Sequence, residues 1–197
     1  MADGSIYLPR APELVKAWEA DPARVLAADP AWRFGDKLPG GGRGADKHYD
    51  TLTVEQIKAF PLPPLADDCV LLLWRVAAMQ EEALEVVRAW GFTPKAELVW
   101  IKTSRFGSKV PLMGMGRSFR NCHESAILAH RGKPQRKSMS ELSVIFAPRR
   151  EHSRKPIEAQ RKLERMYAGP YHELFARRTL SGWRCEGNEL EATEHVR

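Results

Sequence analysis

Cysteine is scarce in this sequence: Cys69, Cys122 and Cys185 are three in 197 residues, far apart and forming no Cys-x-x-Cys pair. That scarcity excludes a disulfide framework and a zinc knuckle and leaves free thiols, so a reducing cytoplasm is expected. Long apolar runs are missing as well. The longest good one, Val70 to Trp74, falls far below the roughly 20 residues that cross a bilayer. The opening MADGSIYLPR has neither the charged start nor the apolar centre of a leader, which points to a soluble chain with no membrane contact. Metal-ligand spacing is absent too. Cys122-His123-Glu124 fits no familiar ligand set, so these residues are expected to serve structure, and no metal is expected.

What is present describes one globular domain. The chain suffices for a single well-buried core and hardly for two, and 43% apolar residues with six Trp and seven Phe exclude a disordered or fibrous class. The formal charge of +6 is modest, but its distribution is uneven. Between Pro94 and Lys137 ten Lys or Arg face only Glu97 and Glu124, so this segment carries +8 and the rest of the chain −2. A polyanion would be drawn to it, the plain alternative being a solvated loop.

Apolar patterning places the elements. Residues 11–20 read as a helix ended by Asp21-Pro22, and Val25 to Ala28 as a strand buried on both faces. Five glycines within GDKLPGGGRGADKHYD make a loop. Thr53 and Gln56 have capping-box spacing, which predicts a helix from 54 to Phe60. Further strands are expected over 69–74, 98–102, 125–130, 144–146 and 171–175. Helices are expected over 80–90, ended by Gly91, and over 156–167, with proline at the permitted first position. Alternating strands and helices with continuous apolar strands predict an α/β fold, an open, mostly parallel sheet flanked by helices. Such sheets bind ligands beyond the carboxyl ends of their strands. Asp29, Arg75, Lys102 and Arg177 should therefore collect along one edge.

Asp29-Pro30-Ala31-Trp32 stands at that edge, and its chemistry suits one kind of ligand. An exocyclic amine such as N6 of adenine is a poor nucleophile because its lone pair is delocalised. Two acceptors aligned with its N–H bonds would hold it as an electrophile approaches. The Asp29 carboxylate supplies one and the Pro30 carbonyl the other, while Trp32 can stack on an extruded base. Read alone, the same four residues also make an ordinary turn beside a core tryptophan.

The wider pattern adds to this. DPAW at 29–32 resembles the DPPW signature of the MT-A70 family of adenine-N6 methyltransferases. YDTLTVEQI, VLLLWRV, LVWIKTS, GMGRSFRNCHESAILAHRGKP, HSRKP, ELFARR and GWRCEGNEL follow, resembling family segments in the same order from about residue 25 to 190. The resemblance implies a Rossmann-like methyltransferase domain over 25–190, with 1–24 as an N-terminal helical extension and 191–197 as a tail, and S-adenosyl-L-methionine as cofactor. Asp29, Pro30 and Trp32 would hold the adenine. Lys155 would meet the cofactor's carboxylate, and Glu173, Phe175, Arg177, Asn188 and Glu189 would line its ribose and adenine pockets. It also implies a homo- or heterodimer. The family's second proline is Ala31 here, which keeps the carbonyls and loses rigidity.

Nucleic acid is the expected partner, DNA before RNA, the rival reading being a catalytically silent nucleic-acid-binding subunit. The loops over 35–48 and 103–120 are expected to close over an extruded base, and His152 neighbours the cofactor segment. Lys109, Arg117 and Arg120 are the expected phosphate contacts. Replacing Arg117 or Arg120 with alanine should weaken binding at all sequences and lower the slope of log affinity against log salt by about one, measured by titration at several ionic strengths.

Overall fold

A computed structural model describes residues 12–34, 51–104, 111–112, 119–149, 154–187 and 190, with side chains from residue 16. Its frame is a seven-stranded sheet. The strands are β1 (Ala23–Ala28), β2 (Leu65–Arg75), β3 (Thr93–Thr103), β4 (His123–Arg131), β5 (Val144–Pro148), β6 (Tyr171–Leu174) and β7 (Trp183–Glu186). The helices are α1 (Pro12–Glu19), α2 (Val54–Lys58), α3 (Gln80–Ala89) and α4 (Glu158–Met166).

The spatial order is β5-β3-β4-β2-β1-β6-β7. Pairs β1–β2, β1–β6, β6–β7 and β3–β5 are parallel, whereas β4 is antiparallel to both β2 and β3. Six strands therefore share one direction and β4 alone is reversed, a mostly parallel sheet with helices against it. Apolar runs in the central strands are explained by burial on both faces. Leu26, Ala28, Leu71 and Leu73 pack toward Ala83, Val86 and Val87 of α3. Their neighbours Val25, Ala27, Val70 and Leu72 pack toward Ala159 and Leu163 of α4. The two-residue period of a strand feeds two cores at once.

Local chemistry set several boundaries. The capping box forms as its spacing demands: the Gln56 amide N–H donates to Thr53 Oγ1 at 3.2 Å and the Thr53 N–H to Gln56 Oε1 at 2.9 Å. Helix α2 then stops at Lys58, short of the expected Phe60. Gly91 follows α3 at φ +82, a conformation that favours glycine. Pro156 lies outside α4, one residue before the N-cap Ile157, and its carbonyl accepts from the Ala159 N–H at 3.1 Å. Strand β7 was not expected, because Trp-Arg-Cys-Glu has no apolar run. It forms by pairing with β6, and Trp183 stacks on Tyr171 with ring centroids 5.1 Å apart.

After β4 the chain turns at Gly132, φ +63, where an added Cβ would sit 2.2 Å from Asp68 Oδ1 and 2.5 Å from the Asp67 carbonyl oxygen. Neither the backbone angle nor the space admits a side chain. Gly132→Ala should lower unfolding stability by about 1–3 kcal/mol, read as a reduced urea midpoint at unchanged slope.

Candidate active site

The reversal of β4 decides which side chains meet. Strands β1, β2, β3, β6 and β7 deliver their carboxyl ends to one edge, and β4 delivers its amino end to the same edge. Asp29 follows β1, Lys102 lies near the end of β3, and Glu124 lies at the start of β4. Lys155 enters from the segment between β5 and α4.

These four make a continuous row of alternating charge. Lys102 Nζ lies 2.6 Å from Glu124 Oε1, and Lys155 Nζ lies 3.1 Å from Glu124 Oε2 and 2.9 Å from Asp29 Oδ2. All four side chains are at most 25% exposed, so water screens them little. Burial, with a smaller push from Glu124, holds the Asp29 carboxyl above its ordinary value against the opposing pull of Lys155 and Arg177. Burial also opposes ionisation of Glu124, yet Lys155 and Lys102 together hold it below the usual carboxylate range. Lys155 resists its own desolvation because Asp29 and Glu124 favour its charged form, and its pKa is raised. The ammonium also lies 5.6 Å from the centre of the Trp74 ring, a cation–π distance.

The turn carrying Asp29 is fixed by neighbours on both sides. The Trp32 N–H donates back to the Pro30 carbonyl at 2.9 Å, the Leu52 N–H donates to the Ala31 carbonyl at 2.8 Å, and the Arg33 N–H donates to the Leu52 carbonyl at 2.9 Å. Arg33 adds side-chain bonds to Thr51. The stiffness that a second proline would give is supplied here by pairing with Thr51-Leu52. Trp32 is buried in the core, 5% exposed, and its Nε1–H donates to the Trp74 carbonyl at 3.0 Å. Its ring anchors the end of β1 to the end of β2.

A second polar group lies at the end of β6. Gln160 of α4 donates to Glu173 Oε1 at 2.9 Å, while Glu173 Oε2 and Gln160 Oε1 are buried acceptors without a partner. Burial pushes the Glu173 carboxyl up to about 7 despite that bond and the charge of Arg178, and Asp29 adds to the rise. Two orphaned acceptors side by side carry a desolvation cost that a ligand with two hydroxyl donors would remove. Phe175 follows at φ 60, left-handed for a residue with a side chain, and packs on Phe60 with centroids 4.6 Å apart. That turn aims the Ala176 N–H at the Glu186 carbonyl, 2.8 Å away. Gly187 then passes so close that a Cβ there would lie 2.0 Å from the Ala176 carbonyl oxygen.

Asp29, Pro30, Lys155, Glu173, Phe175 and Arg177 thus share the carboxyl edge. Arg120 is exposed and described, whereas Lys109, Arg117, His152, Asn188, Glu189 and most of the two long loops lie outside the described residues. One expectation is corrected: Glu124 belongs to the site's ion-pair row, because the reversed strand brings its first residues to this edge. The sequence did carry a signal, since Glu124 is one of only two acids in the strongly basic segment. Among the described residues no cluster of His, Cys, Asp and Glu could hold a metal ion, and no helix is long and apolar enough to cross a membrane.

Comparison with known proteins covers most of the chain. The MT-A70 family model matches residues 23–189. The chain is 30% identical to an "N(6)-adenosine-methyltransferase MT-A70-like" protein of Arabidopsis thaliana over 87% of its length, and 29% identical to the human "N(6)-adenosine-methyltransferase catalytic subunit METTL3" over 85%. It spans only 24% and 28% of those relatives. It is also 26% identical to the "Type II methyltransferase M.MunI" of Mycoplasma sp, over 85% of this chain and 77% of that protein.

The raised pKa of Glu173 sets a sign. The unfolded chain ionises this group near 4.5 and the folded protein near 7, so between those values the folded state holds the extra proton and stability falls as pH rises. Glu173→Gln should remove that fall, so that by pH 8 the variant gains about 3 kcal/mol on the parent relative to pH 4. Urea unfolding at the two pH values measures it.

Proposed function

The chain belongs to the MT-A70 family, and from that membership we propose that it transfers a methyl group from S-adenosyl-L-methionine to N6 of adenine in DNA. The observation that carries the reading is the buried Asp29 carboxylate, held by Lys155 at 2.9 Å at the carboxyl edge of the sheet. The target amine donates one N–H to Asp29 and the other to the Pro30 carbonyl, which retains a second lone pair beside its bond from Trp32. That grip aligns the nitrogen and draws its lone pair out of the ring. When bound, the family's donor supplies a sulfonium methyl that is already electrophilic, so no metal is required.

The residues beyond Asp29 divide the remaining tasks. Lys155 keeps Asp29 ionised and offers its charge to the donor's carboxylate. Glu173 and Gln160 accept from the ribose hydroxyls, which fits their two unpartnered acceptor atoms, and Phe175 and Arg177 bound the same pocket. Asn188 and Glu189, outside the described residues, are assigned to the same donor by the family resemblance. As the N–C bond forms and the C–S bond breaks, the nitrogen sheds one proton, and Asp29 takes it directly or through water. Free thiols at Cys69, Cys122 and Cys185 suit a cytoplasmic setting, and the chain works as a homo- or heterodimer.

DNA is preferred because the type II methyltransferase is matched over most of its own length. RNA is the second reading, favoured by the word adenosine, a ribonucleoside, in the names of the plant and human relatives.

Labelled S-adenosyl-L-methionine incubated with the chain and duplex DNA, single-stranded DNA or RNA should yield N6-methyladenine, detected by mass, with DNA the best substrate. Asp29→Ala should lower the rate about 10²–10³-fold while leaving donor binding by calorimetry within a few-fold. Methylation by the variant at the parental rate overturns the mechanism. Donor binding without methylation of any substrate identifies a silent subunit instead.

A further inference from the structure

The fold splits the basic segment in two. Lys102 and Arg120 stand toward the carboxyl edge, while Lys95 near the start of β3, Arg131 at the end of β4, and Lys133, Arg136 and Lys137 just after it stand at the amino edge. Seven residue steps along β4 separate Glu124 from Arg131, a distance of about 24 Å at strand rise. The second cluster therefore lies outside the site already described.

All five side chains are exposed, and none makes an ion pair within the described residues. Elsewhere in the described chain Lys58, Arg75, Lys102, Lys155, Arg161, Lys162, Arg165 and Arg184 each meet a carboxylate. Asp67 and Asp68 border the cluster at Gly132, and Asp68 Oδ1 accepts from the Lys133 backbone N–H at 2.7 Å. Lys95 and Arg136 both act on His130, whose pKa burial lowers first and their charges lower further.

The loop is also held in place. Gly132 packs on Asp67 and Asp68, Arg136 forms a backbone bridge with Tyr167, and the Lys137 N–H donates to the Met166 carbonyl at 2.7 Å. Its backbone is thus tied to β2 and to the end of α4, so little backbone order has to be gained on binding. The stretch Arg-Gly-Lys-Pro-Gln-Arg-Lys-Ser over 131–138 has no aromatic or large aliphatic side chain. It can meet phosphates and has nothing on which to stack bases.

From this geometry we propose that the amino edge of the sheet is a second phosphate-binding surface, taking the sugar-phosphate backbone of nucleic acid away from the reacting base. The choice of nucleic acid rests on the proposed substrate class. The surface adds affinity without sequence preference and lets the enzyme stay on a long strand between turnovers.

The test uses the full chain without methyl donor, so failure of methyl transfer would leave its readout intact. Binding of a duplex of about 30 base pairs is titrated from 50 to 200 mM salt. Lys133→Ala/Arg136→Ala should lower the salt slope by about 1.8, changing the parent-to-variant affinity ratio about tenfold across that range. A control of equal charge loss, Lys16→Ala/Arg161→Ala, should keep the parental slope, and melting by circular dichroism confirms that both variants fold. A parental slope in Lys133→Ala/Arg136→Ala, or an equal loss in the control, overturns the proposal. So does a variant that loses only polyglutamate binding, which would assign the surface to an acidic protein.

Discussion

An ammonium ion sealed among carboxylates is the constraint on which this molecule turns. Lys155 is largely withdrawn from water, and so are Asp29 and Glu124. Each alone would neutralise rather than remain charged in that setting. Together each favours the charged form of its neighbour, and the group that pulls hardest against the burial of Asp29 is the lysine beside it. Removing any one member leaves a buried charge uncompensated, so the row acts as a unit and sets the position of Asp29. Such a row adds little net stability, since the desolvation of its members offsets most of their attraction. What it fixes is where the carboxylate points and which charge it bears.

That row exists because one strand runs backward. Were β4 parallel to its neighbours, Glu124 would lie at the far edge and Lys155 would face Asp29 alone. Much of the rest was legible beforehand. The run Val25-Leu26-Ala27-Ala28 read as a strand buried on both faces, Thr53 and Gln56 read as a cap, and the residues at strand ends read as one edge. Strand direction was not legible, because a two-residue period describes which face a side chain meets and is silent on the sense of the chain. The sequence alone therefore places Glu124 with the structural residues. Strand β7 was missed for a related reason: its four residues carry no periodic signal, and it owes its existence to pairing with β6. The burial of Trp32 could not be foreseen either, since a tryptophan after a strand suits a core and a binding face equally.

Reversal of β4 also sorts the basic residues. A segment that looks like one block of positive charge in the sequence becomes two fields about one strand length apart. Among the described residues at the carboxyl edge Lys102 is paired with Glu124 and Arg120 is exposed, whereas all five cations at the amino edge are left open to solvent. Counting charge along a chain therefore says little about where a polyanion will sit until the strand order is known.

The hydrogen bond from the Trp32 indole to the Trp74 carbonyl has a last consequence. The loop that presents Asp29 is stitched into the hydrophobic interior, so it cannot loosen on its own while the sheet stays intact. Loosening of the turn around Asp29 is thereby coupled to loosening of the sheet, and on heating the ion-pair row lasts as long as the interior that holds this indole.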